Sequence, residues 1–335
     1  MANVGAVLVI GGGISGMQSS LDLADSGFKV YLLETKPSIG GVMASLDKTF
    51  PTNDCSMCIM APKLVGVGRH HNIEILSYAD LMEIEGSAGN FHVKVARHPR
   101  KVDPSLCTGC GTCALECPVE AIDEYNEALT ERKAISVRYP QSVPLLYSID
   151  PNKCIGCGSC ENACKAHAIK YAQKEYETEL SVGSIIMAAG FDPYVPPPGN
   201  EYGYGVYKNV VTSMEFERIL SATGPFAGHV FRPSDGKMPQ KVAFVQCVGS
   251  RDQRSNVYCC SVGCMYSTKE AIIAQEHSPG LKATIFFMDM RAFGKEFDYY
   301  YKRAQDEYGI SYIRSRIPSI SELPDKGLRI KYESE

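Results

Sequence analysis

Several features that would assign this chain to a familiar class are missing from its sequence. It contains no uninterrupted run of about 18 apolar residues, so we predict no membrane-spanning helix. The net charge is only −4, which gives no indication of a nucleic-acid partner. Residues 1–5 lack the charged segment and the small-residue cleavage site of a signal peptide. We therefore expect a cytoplasmic protein that is not inserted in a membrane.

Catalytic patterns based on histidine or serine are also missing, and tryptophan does not occur at all. No Ser/His/Asp arrangement and no pair of carboxylates indicates hydrolysis, and the histidines show no metal-ligand spacing with one another. We expect the histidines to be structural or surface residues: His70, His71, His92, His98, His167, His229 and His277. Any chemistry is therefore expected from another residue type.

Cysteine is abundant, and eight of the 14 cysteines form two copies of the pattern C-x2-C-x2-C-x3-C. Bacterial-type ferredoxins use this spacing to hold [4Fe–4S] clusters, and in two-cluster ferredoxins the fourth cysteine of each run binds the other cluster. In a reducing compartment, cysteines are more often metal ligands or redox groups than disulfides. The predicted ligands are Cys107, Cys110, Cys113 and Cys164 for one cluster, and Cys154, Cys157, Cys160 and Cys117 for the other.

A dinucleotide-binding pattern lies near the start of the chain. An apolar strand is expected at residues 4–10, a helix at 14–26 and a second strand at 28–34. The turn between the first strand and the helix reads Gly11-x-Gly13-x-x-Gly16, and the second strand ends at Glu34. The glycines let backbone amides and the helix N-terminus approach a pyrophosphate, and the acid accepts hydrogen bonds from ribose hydroxyls. This unit predicts a Rossmann-like domain.

Two further segments favour FAD over NAD as the dinucleotide. A Gly-Gly turn, Gly40-Gly41, follows Glu34, and an apolar strand at residues 184–187 ends in Ala188-Ala189-Gly190. Both features are typical of flavoproteins that have two dinucleotide domains. The candidate FAD contacts are Gly11, Gly13, Ser15, Gly16, Glu34, Thr35, Lys36, Gly40, Gly41, Ala189 and Gly190.

A third cysteine group stands where related flavoproteins carry a second glycine triad. After a predicted strand at residues 241–246 comes Cys247, and Cys259, Cys260 and Cys264 follow. From spacing alone, three interpretations are open: a third [4Fe–4S] cluster, buried apolar thiols, or a zinc site.

The predicted architecture is an α/β fold with two Rossmann-like dinucleotide-binding domains and an inserted bacterial ferredoxin domain with two [4Fe–4S] clusters. We expect the FAD domain at residues 1–97 and 178–240, the insertion at 98–177, and a modified NAD-type domain at 241–335. A short helix is expected after each cysteine run, at 119–122 and 166–169.

The segments at residues 53–58 (NDCSMC) and 259–269 (CCSVGCMYSTK), together with the inserted ferredoxin, resemble the HdrA-like family, which is named after a component of heterodisulfide reductase. The resemblance extends over essentially the whole chain. It implies FAD on a thioredoxin-reductase-like core, several [4Fe–4S] clusters, and a third cluster on Cys247, Cys259, Cys260 and Cys264. It also implies an electron-transfer subunit of an anaerobic multi-subunit oxidoreductase, with flavin-based electron bifurcation as a hypothesis.

The resemblance further implies partners and one catalytic candidate. The expected partners are HdrB-like and HdrC-like components of heterodisulfide reductase, a hydrogenase or a class II benzoyl-CoA reductase, and also ferredoxin. Lys269 lies on a helix predicted to start near the third cluster, where its cation would stabilise reduced flavin; the other interpretation is a solvated surface lysine. The related flavoproteins close their FAD site with a final segment, which we expect a partner protein to supply unless the site is open.

Cys55 and Cys58 leave three interpretations: a redox dithiol beside the flavin, ligands of a cluster completed by another chain, or buried thiols. For the whole chain, the alternative is a stand-alone NAD(P)H-linked iron–sulfur flavoprotein resembling the glutamate synthase small subunit. The missing second glycine triad disfavours that alternative. A third possibility is a structural hub whose cofactors do not turn over.

Overall fold

The computed structural model describes residues 4–333, which divide into two compact units. The first unit comprises the chain up to Ala44 together with Met57–Phe191, and the second comprises Ser45–Ser56 and the chain from Asp192 onward. Residues 192–240 are thus grouped with the second unit. The domain boundaries expected from the sequence stay predictions.

The first unit is built on two sheets and short paired strands. Its strands are β1 (Ala6–Ile10), β2 (Lys29–Glu34), β3 (Ile73–Ser77), β4 (Ala79–Ser87), β5 (Asn90–Arg97), β6 (Glu120–Ile122), β7 (Glu131–Lys133), β8 (Ile135–Ser136), β9 (Ser148–Ile149), β10 (Tyr176–Val182) and β11 (Ser184–Met187). Its helices are α1 (Ile14–Asp25), α2 (Ser56–Arg69), which begins at the end of the 45–56 segment, α3 (Thr112–Leu115) and α4 (Ser159–Ala163).

A four-stranded parallel sheet has the order β11-β1-β2-β3. Val7, Leu8 and Val9 in β1 are at most 6% exposed, as is typical of a parallel strand covered on both faces. The chain leaves β1 toward β2 on one side, and β11 joins β1 on the other side. Such a topological switch point forms a crevice at the carboxyl ends of the strands, where open α/β sheets bind ligands.

The other sheet of this unit is antiparallel, with the order β10-β5-β4. One apolar cluster joins the two sheets. It contains Leu8, Leu33 and Leu76 from the parallel sheet, and Val93, Val95, Leu180 and Val182 from the antiparallel sheet. Because β5 and β10 are antiparallel neighbours, the chain enters the segment with the cysteine runs and returns from it at the same end of the sheet.

The helices near the cysteine runs lie inside the runs and not after them, so this prediction was wrong. α3 starts after Gly111 and α4 after Gly158, both of which have positive φ angles of 84° and 78°. Residues 120–122 form β6, where burial alternates exposed, buried, exposed, which is the period of a strand. Residue 169 pairs in a bridge with Val102. The glycine turns set the helix starts; a strand follows the first run, and a turn at residues 165–166 follows the second.

The second unit contains a three-stranded parallel sheet with the order β12-β13-β14 and an antiparallel pair, β15-β16. The strands are β12 (Lys241–Val245), β13 (Lys282–Phe287), β14 (Ser311–Arg314), β15 (Ser319–Glu322) and β16 (Leu328–Lys331). The helices are α5 (Ser213–Leu220), α6 (Gly263–His277) and α7 (Phe297–Asp306). None of the helices within residues 4–333 has the length and apolar character needed to cross a bilayer.

Candidate iron–sulfur and dinucleotide sites

The glycine turn after β1 is held in a tight conformation that only glycine allows. Gly11 has a φ of +108°, and a Cβ there would overlap the carbonyl oxygen of Ala188. A Cβ on Gly16 would overlap the carbonyl oxygen of Gly11, so the first turn of α1 lies directly on the loop. α1 begins after Gly13 without a side-chain cap, which leaves its first amide groups available to an anion.

The predicted ribose acid, Glu34, lies at the end of β2 and is 8% exposed. Its Oε2 accepts a hydrogen bond from the Gly12 amide at 2.9 Å, and its Oε1 accepts one from the Lys36 amide at 2.8 Å. The Thr35 hydroxyl lies 3.3 Å from Oε1. Glu34 therefore fixes the glycine turn, and its hydrogen bonds to a ribose stay a prediction.

The Gly-Gly turn closes against the glycine turn. The Gly40 amide donates to the Gly12 carbonyl at 2.8 Å, and a Cβ on Gly41 would lie 2.8 Å from the Cα of Gly13. The remaining candidates are exposed at this edge of the sheet: Ser15, Thr35, Lys36, Ala189 and Gly190. These features fit a dinucleotide whose pyrophosphate lies on the turn at the switch point.

The second predicted cluster has its four cysteines around one open cavity. Cys117 comes from the first run, and Cys154, Cys157 and Cys160 come from the second. The other lining residues are mainly apolar: Val119, Ala134, Ile135, Ile149, Ile155 and Tyr171. A backbone amide also lies near one of the sulfurs: Gly156 N is 3.4 Å from Cys154 Sγ. The shared cavity agrees with the crossed fourth ligand that two-cluster ferredoxins use, and the binding of a cluster there stays a prediction.

The first three cysteines of the other set also lie close together. Burial raises the pKa of Cys113 to about 12, and the neighbouring charges of Cys107 and Cys110 act in the same direction. Thiols that resist ionisation in this way are stabilised as thiolates by bound metal. Cys164 packs against an apolar cluster that contains Cys113, and its Sγ accepts from the Ala168 amide at 3.4 Å. Its assignment to this set stays a prediction.

The third cysteine group converges at the carboxyl end of β12. Cys247 follows that strand, and Cys264 lies in the first turn of α6. Burial raises the pKa of Cys264, and so do the charges of Cys247, Cys260 and Cys259. The sulfurs of Cys259 and Cys260 accept backbone amide hydrogen bonds of 3.3 Å from Ser261 and Gly263, respectively. The other three cysteines thus all affect the pKa of Cys264, and their binding of one metal centre stays a prediction.

A second open cavity lies beside this group, at the carboxyl ends of the parallel strands. Gln246 and Cys247 line it just after β12, and Ser315, Arg316 and Ile317 line it after β14. The guanidinium of Arg316 donates to Asp252 Oδ2 at 2.6 Å, so that charge is already paired.

Lys269 is not a solvated surface lysine. Its side chain is 2% exposed and forms an ion pair with Glu217, which is also 2% exposed. The second carboxylate oxygen of Glu217 accepts from the Asp47 amide at 3.0 Å. Glu270 is 1% exposed, and burial, then the charge of Glu217, raise its pKa well above the ordinary value. The position of Lys269 relative to a flavin stays a prediction.

Cys55 and Cys58 are exposed, Cys55 just before α2 and Cys58 in its first turn. Residue 55 also forms a backbone bridge with Lys48. This exposure contradicts the interpretation as buried thiols, and the redox dithiol and the partner-completed cluster both stay predictions.

Sequence reasoning missed the partners of the predicted residues. Glu217 and Glu270 are the buried acids beside Lys269. The signal for Glu270 was the Lys-Glu pair directly before the apolar run 271–274, and Glu217 had no local signal. Arg138 and Tyr139, which contact the Gly-Gly turn, had no sequence signal because their partners are backbone carbonyls 97–100 residues away.

Two family models match parts of the chain. A 4Fe-4S dicluster domain matches residues 106–169, and an NAD(P)-binding Rossmann-like domain matches residues 9–62. These matches cover the cysteine runs and the glycine turn.

Full-length comparison finds relatives over nearly all of the chain. It is 55% identical over 328 residues to an iron–sulfur component, HdrA, of the CoB--CoM heterodisulfide reductase of Methanopyrus kandleri, covering 97% of this chain and 50% of that protein. It is 52% identical over 328 residues to the corresponding component of the H(2)/formate:CoB-CoM heterodisulfide,ferredoxin reductase of Methanococcus maripaludis, with the same coverage of 97% and 50%. The chain thus spans about half the length of the curated relatives it matches.

Among solved structures, thioredoxin reductase from T. acidophilum is similar, with 12% identity and a TM-score of 0.47. The match covers 98% of this chain and 70% of that chain. A TM-score at this level does not assign a fold by itself.

Proposed function

The chain belongs to the HdrA family of heterodisulfide reductase components, and from this membership we propose that it is an electron-transfer part of a larger anaerobic oxidoreductase, with FAD and three [4Fe–4S] clusters. The resemblance expected from the sequence is thereby confirmed as a family assignment. The number of clusters, the flavin and the partners belong to the proposal.

The observation that carries this proposal is the convergence of Cys247, Cys259, Cys260 and Cys264 at the carboxyl end of β12. In a Rossmann-like domain, the turn after the first strand binds the nucleotide pyrophosphate. Here the same position presents thiols, and β12, β13 and β14 are parallel as in such a domain. We interpret this part as a second Rossmann-like domain in which thiolate ligands replace the nucleotide loop.

The residues around each centre have distinct tasks. The backbone amides after Gly13 would hold the pyrophosphate, and Glu34 keeps the turn closed. The cysteine thiolates would hold iron, and the mainly apolar residues around Cys160 would set the polarity at the cluster. Bound FAD would exchange electrons in pairs or singly, and each cluster would exchange one electron. Lys269 is proposed to supply a positive charge close to the flavin.

The proposed partners follow from the names of the relatives. The M. maripaludis relative is named for H(2) or formate, heterodisulfide and ferredoxin, so we propose ferredoxin and hydrogenase-like or heterodisulfide-reducing proteins as partners. Proteins like those of class II benzoyl-CoA reductase remain in the proposal. Electron bifurcation is part of it as well, and normally ordered one-electron flavin potentials in a redox titration would count against it.

One observation favours the alternative of a stand-alone NAD(P)H-linked oxidoreductase. The cavity lined by Gln246, Cys247 and Arg316 lies at the strand ends where such enzymes bind the nucleotide. The Arg316 charge, however, is paired with Asp252.

Anaerobic reduction of the isolated chain separates the two functions. The proposal predicts that dithionite bleaches the flavin and cluster absorbance, whereas NADH and NADPH leave both unchanged. Reduction by NADH or NADPH at rates of about 1 per second or faster would favour the stand-alone enzyme. Clusters and flavin that dithionite fails to reduce would instead indicate a structural hub.

A further inference from the structure

Residues 134–143, named here the bridging segment, connect the second cluster cavity to the Gly-Gly turn. The segment lies between the two cysteine runs and contains β8. Neither the cysteine pattern nor the glycine pattern includes it. Its two ends make separate sets of contacts within the first unit.

Side chains at one end of the segment donate hydrogen bonds to backbone carbonyls of the Gly-Gly turn. Arg138 donates from Nη1 to the Ser38 carbonyl and from Nη2 to the Gly41 carbonyl, both at 3.2 Å. The Tyr139 hydroxyl donates to the Ile39 carbonyl at 2.5 Å. Every carbonyl from residue 38 to 41, except that of Gly40, therefore accepts a hydrogen bond from a side chain of the bridging segment.

Tyr139 is held in place by burial and by hydrogen bonds of its backbone. Its side chain is 1% exposed, and its backbone amide and carbonyl both bond to the Ser142 hydroxyl, at 3.0 and 2.6 Å. The Ile39 amide donates to the Val143 carbonyl at 2.9 Å. At Gly40, whose φ is +128°, a Cβ would lie only 2.5 Å from the Tyr139 hydroxyl. The turn and the tyrosine are thus fitted to each other.

The other end of the segment forms a wall of the cavity with Cys117, Cys154, Cys157 and Cys160. Ala134 and Ile135 line this cavity, and residue 135 pairs with Ile149 across β8 and β9. The Ala134 carbonyl accepts from the Asp150 amide at 2.8 Å. Only two residues separate Ile135 from Arg138. β8 ends at Ser136, so the cavity wall and the Arg138 guanidinium lie on one short stretch of chain.

The Gly-Gly turn in turn contacts the glycine turn after β1. The Gly40 amide bonds to the Gly12 carbonyl at 2.8 Å, and Gly41 lies against Gly13. If the Gly-Gly turn moves, the glycine turn that faces the pyrophosphate loses one of its supports.

We propose that Arg138 and Tyr139 are positioning residues for the dinucleotide turn, and that the bridging segment couples occupation of the Cys117/Cys154/Cys157/Cys160 cluster to FAD binding. This inference rests on the proposed function, because it takes FAD as the dinucleotide. The coupling is reciprocal: a cluster that tightens FAD binding is itself held more tightly when FAD is bound. The chain would then retain its flavin poorly until iron has been inserted.

The test measures FAD affinity and hydrogen exchange of residues 38–42 on the full chain under anaerobic conditions. Arg138→Gln removes both guanidinium hydrogen bonds, and we expect the FAD dissociation constant to rise about tenfold and exchange in residues 38–42 to accelerate. Cys154→Ser/Cys157→Ser, which removes the cluster, is expected to weaken FAD binding at least about fivefold. In the cluster-free background, Arg138→Gln is expected to have a smaller effect than in the complete chain.

The matched control is Lys133→Gln, which removes one positive charge from the same stretch. The Lys133 ammonium pairs with Glu120 at 3.0 Å, on the strand pair β6-β7 and away from the Gly-Gly turn. FAD affinity and exchange of residues 38–42 are expected to match the unmodified chain. Should the double cysteine variant fail to fold, Arg138→Gln and Tyr139→Phe in the complete chain still test the positioning role. The coupling is then tested by iron retention with and without FAD: FAD is expected to raise it in the unmodified chain and to raise it less in Arg138→Gln.

Failure of this inference differs from failure of the proposed function. An unmodified chain that holds its iron but binds no FAD would overturn the proposed function, and exchange of residues 38–42 would then still report the coupling. Exchange that responds neither to Arg138→Gln nor to cluster loss would overturn the inference, as would additive effects of the two changes on FAD affinity.

Discussion

Lys269 and Glu217 are each 2% exposed, so their ion pair is held away from water. Truncation of Lys269 leaves the Glu217 carboxylate buried without its cation and beside a second acid, Glu270. Because an uncompensated buried charge is costly, we expect Lys269→Ala to lower the free energy of unfolding by about 3–5 kcal/mol. Anaerobic chemical denaturation measures the loss.

Lys302 supplies the matched control, since its side chain is 64% exposed and pairs with Asp298 one helical turn away. Lys302→Ala is expected to cost less than about 0.5 kcal/mol. Equal losses for the two variants would contradict a buried ion pair. In Lys269→Ala chains that keep their FAD, a shifted flavin potential is expected, and an unchanged potential would remove Lys269 from the mechanism.

Glu270 makes stability depend on pH. Burial, then the charge of Glu217, raise its folded pKa well above the ordinary 4.5. Between pH 4.5 and that raised pKa, the folded chain keeps a proton that the unfolded chain has lost, so stability falls as pH rises. Glu270→Gln cannot ionise and is expected to remove this slope, which amounts to at most about 1.4 kcal/mol per pH unit.

Denaturant unfolding at several pH values between about 5 and 8 measures that slope. Glu276→Gln, an exposed position on the same helix, is expected to leave it unchanged. A slope that survives in Glu270→Gln would show that other groups cause it.

The Gly-Gly turn is an element whose shape depends on Tyr139. Gly40→Ala meets two penalties, a positive φ of +128° and a Cβ 2.5 Å from the Tyr139 hydroxyl, whereas Gly27→Ala meets only a positive φ of +90° with no atom within 4 Å. We expect Gly27→Ala to cost about 1–2 kcal/mol. Gly40→Ala should cost about 1–3 kcal/mol more because of the overlap.

Thermal or denaturant unfolding compares the two variants. Because Tyr139→Phe removes the overlapping oxygen, the extra cost of Gly40→Ala should shrink in that background. Equal costs for Gly40→Ala and Gly27→Ala would contradict the fit between the turn and the tyrosine.

The two cysteine runs are expected to act together, because each supplies its fourth cysteine to the cluster of the other run. Cys117 belongs to the first run in sequence, but it lines the cavity of Cys154, Cys157 and Cys160. We therefore expect Cys117→Ala to lose the same cluster as Cys154→Ala, with the same electron paramagnetic resonance signal missing from reduced samples. Cys107→Ala is the comparison, and it should remove the other signal. Loss of one signal in both Cys107→Ala and Cys117→Ala would contradict the exchange.

Across the whole molecule, local patterns were predictable and long-range contacts were not. The strand–glycine turn–helix unit was expected at residues 4–26 and is found as β1 and α1, because apolar runs and glycine spacing act locally. The cysteine runs likewise predicted the clustering of Cys154, Cys157 and Cys160 around one cavity. In the glycine turn and the cysteine runs, binding of the cofactor requires a fixed spacing of residues along the chain.

Other parts depended on residues far apart in sequence. The helices expected after the cysteine runs were misplaced, since the turn at Gly111 starts α3 within the run. The burial of Lys269 depends on Glu217, 52 residues away, and no local pattern joins them. The hydrogen bonds from Arg138 to backbone carbonyls could not be predicted from the sequence either, because every residue has a backbone carbonyl.

Metal and sulfide analysis of the anaerobically purified chain tests the central claim, that thiolates at the end of β12 hold a third cluster in place of a nucleotide. We predict about twelve iron and about twelve sulfide per chain, no zinc, and a fall to about eight iron in Cys259→Ala/Cys260→Ala. A zinc-containing chain, or one with no more than about eight iron atoms before any cysteine is changed, would contradict it.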